Sequence, residues 1–248
     1  FTDLKAYFLQ ASYVDDNTLI KAITFGGTEQ TYQAWNGLTA EQLIEDRRQN
    51  VLTYENETDN YQQDHYQLHW NEKISNNWST NIGLNYTKGA GFFEQFKVSP
   101  KAINGDSEED ILEFADDFDN LINGGSDVIV RRWLDNDFYV ANANVTYKNN
   151  KLEVIAGASY SNYTSDHFGE VIWGSNLTEG TNIRDRYYFS DAEKTDVSSF
   201  LKATYTIANK FSIYADLQGR YVKYETKGLT SDRDAIDVNE NFRFFNPK

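Results

Sequence analysis

The chain has no cysteine. That removes disulfide frameworks, thiolate nucleophiles and cysteine-ligated zinc from the chemistry open to it, and leaves the redox compartment undetermined. Two prolines and 15 glycines in 248 residues are too few for a low-complexity linker. No run of about 18 to 20 apolar residues occurs, so no membrane-spanning helix is expected. A spanning β-strand stays open, because alternation dilutes its apolar residues. Cations are scarce as well: 23 Lys and Arg face 38 Asp and Glu, a net charge of −15. Sequence-independent nucleic-acid binding needs lysine and arginine to displace phosphate counterions, and is not expected. There is no methionine, and nothing near Phe1 has the charged, apolar and small-residue order of a signal segment. We expect a mature piece or a fragment.

Aromatic residues are plentiful: 17 Tyr, 16 Phe and 5 Trp. Beside so few aliphatic runs they point to β-structure with an amphipathic surface. Period-two alternation is the strongest pattern. Tyr66, Leu68 and Trp70 share one face of a strand, with His65, Gln67 and His69 opposite, and Trp78, Thr80, Ile82, Leu84 and Tyr86 repeat the plan after a polar connection over Asn71–Asn77. Further hairpins run Tyr7–Tyr13 with a turn at Asp15–Asn17, Tyr139–Tyr147 returning through Leu152–Tyr160, and Leu201–Ile207 returning through Phe211–Tyr221. A last half-hairpin opens at Asn239. Connections near 16, 74, 149 and 209 are short, and those between them span roughly 15 to 40 residues, well beyond hairpin length. Two long segments carry helix signals: a Thr39–Gln42 capping box, and helical spacing from Asp106 to Ile122.

A soluble sandwich or propeller would fill its inward row with large aliphatics to make a core about 10 Å thick. Here the apolar row is rich in Ala, Gly and Thr, ends repeatedly in Tyr or Trp, and opposes Asn, Ser, Thr, Gln and His. That is the pattern of lipid outside and a hydrated lumen inside, with aromatic residues at both bilayer edges. We therefore expect an all-β fold: an antiparallel transmembrane β-barrel segment of about nine strands, with long extracellular loops and short periplasmic turns. Nine strands do not close a barrel, and an open edge in lipid is unsatisfied. Further strands are expected elsewhere in the protein.

Several segments resemble the TonB-dependent receptors of bacterial outer membranes, in the form found in Bacteroidetes. They are Thr18–Ala22 leading to Phe25-Gly26-Gly27, Thr31–Gly37, Glu57–Trp70 and Phe244–Lys248. The resemblance implies a 22-stranded barrel around an N-terminal plug, with residues 1–248 a middle portion of the wall and the plug outside this chain. It implies an outer-membrane location and lipid contact. It also implies a TonB complex acting through the plug, and uptake of a scarce nutrient in place of any catalysis. An iron–siderophore complex is the favoured ligand, because the Gln33–Gly37 loop looks more like that branch than the glycan-importing one. The rivals are a secreted soluble carbohydrate-binding sandwich and a passive porin.

No catalytic residues, cofactor or resident metal are expected. His65 and His69 stand about 13 Å apart on a strand, too far to share an ion, and His167 is read as an unremarkable loop residue. Neighbouring acids such as Asp116-Asp117 mean little in so acidic a chain, and no loop has the EF-hand order of ligands. The binding candidates are Tyr32, Gln33 and Trp35, then Tyr61 and Gln63, then the cation pair Arg131 and Arg132 beside Trp133. Placed in loops and at the lumen mouth, these would grip an anionic or planar ligand such as a metal chelate.

Overall fold

A computed structural model describes residues 2–33, 37–50, 52, 54–101, 104–208 and 211–248. Nine strands form one sheet in sequence order, each antiparallel to the next. They are β1 Thr2–Val14, β2 Thr18–Tyr32, β3 Thr58–Lys73, β4 Trp78–Lys97, β5 Val128–Lys148, β6 Leu152–Gly174, β7 Arg186–Ala208, β8 Phe211–Leu229 and β9 Ala235–Pro247. Two helices, α1 Ala40–Glu45 and α2 Glu108–Asp116, lie in the connections at one end.

The short turns share a chemistry. Asp15, Ser75 and Asn149 each present a side-chain oxygen that accepts the backbone N–H groups two and three residues on, at 2.8–3.3 Å. Such residues offer the chain a local partner in place of the ladder, so it reverses there. The fourth short turn, at 209–210, lies outside the described residues. The polar connection expected over Asn71–Asn77 is tighter than its sequence suggests. Asn71 still pairs with Asn81, β3 runs to Lys73, and only 74–77 turn.

Pairing puts the predicted apolar row on one face. Ala11, Ala22, Leu68, Leu84 and Ala141 lie side by side across five strands, as do Ala156, Leu201 and Leu217 further along. Leu68 and Leu201 are 43% and 47% exposed, so these residues fill no dry centre. The rung that starts at Val14 passes Leu19, Asn71, Asn81, Asn144, Gly157 and Phe200 and reaches Gln218. It climbs away from the short-turn end by about one residue per strand, which with a ~3.3 Å rise and ~4.8 Å strand spacing gives a tilt of about 35°. Barrel strands have that tilt.

Two of the long connections are shorter than expected, because the strands beside them continue far past the tyrosines at their upper ends. Residues 175–185 and 230–234 are all that separate β6 from β7 and β8 from β9. β9 likewise begins at Ala235 and not at Asn239. Above those tyrosines the apolar row turns charged, as in Asp135, Asp166 and Asp191, yet the backbone ladder goes on. The change of side chains marks where the apolar row ends, not where the sheet ends.

Hydrophobic packing is confined to this upper end. Phe118, Ile122, Val128, Val130, Val171, Tyr187 and Tyr188 form a buried cluster where the 98–127 segment folds against β5–β7. Both helices have their capping boxes, Thr39 with Gln42 and Ser107 with Asp110. α2 is shorter than the Asp106–Ile122 spacing predicts. Asp119 and Asn120 adopt positive φ, 56° and 54°, just beyond it, and the chain turns so that Phe118 and Ile122 enter the cluster.

Candidate functional site

On the face opposite the apolar row, two consecutive rungs build a concavity near the long-loop end. The upper rung holds Asp59, Phe93, Arg132, Gly169 and Tyr188, one from each of β3 to β7. The lower rung holds Glu29, Tyr61, Gly91, Leu134, His167 and Ser190. Together with Tyr224 and Thr226 of β8 they line a cavity of about 800 Å³.

Local sequence explains its shape. Tyr61 lies across β4: a Cβ on Gly91 would sit 2.6 Å from its ring and one on Gly89 2.2 Å from its hydroxyl, so only glycine lets the ring down. Its hydroxyl then donates to Asn136 Oδ1 on β5, at 3.3 Å. At the other wall the pairing slips between Gly169 and Glu170. This bulge turns both Tyr187 and Tyr188 inward, with rings 5.0 Å apart, where strict alternation would separate them.

Arg132 donates from Nε to the Tyr187 hydroxyl at 3.4 Å and stands 5.7 Å from the Phe93 ring. Burial raises the Asp59 carboxyl above its usual range, and neighbouring Glu29 adds to the rise. Burial lowers His167, against the pull of Asp166. It also lowers Lys97, whose ammonium lies 5.4 Å over the Phe118 ring.

Below this cavity the same face carries a second groove of about 740 Å³, lined mainly by amides and hydroxyls. Gln63 Oε1 meets His65 Nε2 at 3.2 Å, His65 Nδ1 meets Thr87 at 2.9 Å, and Gln67 donates to Asn85 at 3.2 Å. His65 also stacks on Phe25 at 4.4 Å. Among the described residues no group of three His, Asp or Glu is placed to hold a metal ion.

The structure brings Tyr61 and Arg132 together, with Gln63 directly beneath. The other candidates lie elsewhere. Arg131 points to the opposite face, bound to Glu94 at 2.8 Å and 4.3 Å from the Phe92 ring. Two adjacent cations on a strand cannot grip one ligand. Tyr32 ends β2 with its hydroxyl 3.4 Å from Leu52 O, and Gln33 is buried under that connection, its carbonyl accepting from Asn50 at 2.7 Å. Trp35 lies outside the described residues. Sequence reading missed Asp59, Phe93, Tyr188 and Tyr224, and took His167 for a loop residue although it sits in β6. Counting alternate residues upward from Asn142 on β5 would have reached Arg132, but no such count crosses to a neighbouring strand.

No protein-family model matches the chain, and no curated protein matches it in sequence. Solved structures match it in shape. Over 99% of this chain, the ferric-catecholate import receptor Fiu from E. coli K12 in its closed form gives a TM-score of 0.63 at 9% identity. The ferric citrate transporter FecA in its unliganded form gives 0.65 at 12%, and the ferric preacinetobactin receptor BauA from Acinetobacter baumannii 0.61 at 10%, each also over 99% of this chain. The chain spans 40%, 32% and 36% of their respective lengths. The tilt, the two-faced strands and these superpositions agree: the chain has the fold of a barrel-wall segment of the TonB-dependent outer-membrane receptors.

Proposed function

We propose that the protein containing this chain is an outer-membrane receptor and active transporter of the form found in Bacteroidetes. It takes up a scarce nutrient, an iron–siderophore complex, under the drive of TonB. The plug through which TonB acts lies outside these residues. This chain supplies nine strands of the wall, contacts lipid with its apolar row, and makes or breaks no bond. The observation that carries the reading is the position of the 800 Å³ cavity, on the lumen face and above the tyrosines that end the lipid-facing row. A ligand from outside would meet Arg132, Tyr61 and Tyr188 before it met the polar groove below.

A passive porin fits less well. Phe8, Phe242 and Phe244 all face the lumen side and are 62%, 48% and 47% exposed. Phenylalanine on a water-filled channel wall gains nothing from burial, whereas a docked plug would cover it. A soluble carbohydrate-binding sandwich fits less well still, since Leu68 and Leu201 have no second sheet to pack against.

The test is uptake of radioactive iron by the native bacterium with the full-length gene intact, deleted, or present in a TonB-defective background. We expect uptake of one ferric chelate to fall at least tenfold in both altered strains. Undiminished uptake of every ferric chelate, or a full-length receptor that captures only oligosaccharide, would overturn the reading.

A further inference from the structure

The mouth cavity keeps opposite charges apart along a single rung. Asp59 and Arg132 are partners of the same residue, Phe93, on either side of β4. Two strand spacings of ~4.8 Å put their Cα atoms about 10 Å apart. Glu29 joins Asp59 on one wall, at the start of the rung below. Among the described residues no ion pair includes Glu29, Asp59 or Arg132. Among the described residues Glu29 accepts from the Thr31 hydroxyl, at 2.6 Å, and Arg132 donates to a neutral tyrosine. Several neighbouring charges do find partners: Arg131 has Glu94, Lys88 has Asp135 and Asp137, and Arg220 has Asp196. Glu29, Asp59 and Arg132 line the one cavity, with Phe93 and Tyr61 between them as flat surface.

Resting on the uptake reading above, we infer that the ligand is amphoteric. It is a compact metal chelate that turns a cationic group, such as an ammonium, toward Glu29 and Asp59. A carboxylate or other electron-rich oxygen meets the Arg132 guanidinium. The body between them lies over Phe93, where the face of the ring also favours positive charge. A uniformly anionic chelate would gain Arg132 and be repelled by two carboxylates. The cavity thus selects against the ligands that a lone arginine would attract.

The experiment uses the full-length receptor in detergent at pH 7 and low salt, where exposed charges are least screened. Its two probes are the ferric complex of a linear tris-hydroxamate with a free terminal ammonium, and the same complex N-acetylated. They share metal, donor set and size, and differ by one positive charge. Binding is read from quenching of intrinsic tyrosine and tryptophan fluorescence, since Tyr61 and Tyr188 line the cavity. We expect the ammonium form to bind at least tenfold more tightly. Glu29→Gln with Asp59→Asn should bring the two within twofold, chiefly by weakening the ammonium form, and Arg132→Gln should weaken both forms by a similar factor. Equal affinities in the unaltered receptor, a preference that survives the double substitution, or binding of neither form would overturn the inference. The uptake experiment stays independent: it succeeds with a different chelate if only the charge assignment is wrong, and fails with all of them if the transport reading is wrong.

Discussion

Gly169→Ala tests whether the bulge in β7 fixes the far wall of the cavity. An added Cβ would lie 2.3 Å from Tyr187 Cε1 and 2.5 Å from Tyr188 Cε1. Neither ring is free to retreat: they are 2% and 7% exposed, and Tyr187 is wedged edge-on against Phe118 at 5.1 Å. Expelling a tyrosine that buries about 150 Å² forfeits roughly 4 kcal/mol at ~25 cal/mol per Å². Overpacking costs typically about 1–3 kcal/mol, so the rings stay and the sheet absorbs the strain. Against this, replacing glycine gains about 0.4–1 kcal/mol by restricting the unfolded chain. The net loss expected is about 1–2 kcal/mol. Gly219→Ala is the matched control in the same sheet, since its Cβ would meet only Ser199 Oγ, at 3.9 Å. It should be neutral or slightly stabilising. Urea titration of the full receptor in micelles, followed by far-ultraviolet circular dichroism, compares the two, and the near-ultraviolet tyrosine signal reports the rings. If both variants unfold within about 0.5 kcal/mol of each other, the tyrosine pair is not locked and the account of the wall is wrong.

The two faces should respond oppositely to charge. Leu68→Arg puts a guanidinium toward the middle of the lipid-facing row and should cost about 2–4 kcal/mol, whereas Gln67→Arg, on the lumen face, should assemble normally; heat-modifiability of the barrel on gels compares them. In single-tryptophan variants, brominated acyl chains should quench Trp70 and Trp78. They should spare Trp133, which lies three rungs above Tyr139, about 20 Å along the strand at ~3.3 Å per residue. Equal quenching of all three would mean that the upper strands are in lipid. The 98–127 segment should loosen in acid. Lys101, donating at 2.9 Å, holds the Asp127 carboxyl below its usual range, and the Ser99 N–H assists against the effect of burial. A depressed carboxylate contributes fully above its unfolded value near 3.9 and loses that contribution as pH falls through the lower folded value. Proteolysis after residue 101 should therefore be constant from pH 7 to 5 and rise below about 4, and a flat profile would refute the coupling.

What the sequence reveals depends on what each face of a strand meets. Between the two aromatic belts one face of each strand is mainly apolar and the other mainly polar, so Leu68, Ile82, Val145 and Leu201 alternate and pair as expected. Above the upper belt both faces are wet, and alternation loses its meaning. Residues 161–174 carry Ser, Asn, Thr, Asp and His in the manner of a loop, yet every position from 161 to 171 stays in the β5–β6 ladder. The candidate site lies in that stretch, which is why only part of it was legible. Arg131 and Arg132 look like a pair in sequence and are parted by the pleat. Asp59, Phe93, Arg132 and Tyr188 look unrelated in sequence and share a rung, a relation that exists only in the register of four hairpins. Tyr187 and Tyr188 share a face because a bulge breaks the alternation on which sequence reading rests. Spanning strands are constrained residue by residue by the membrane. The mouth is free of that constraint, and a barrel wall therefore has room to vary its ligand where its sequence is hardest to read.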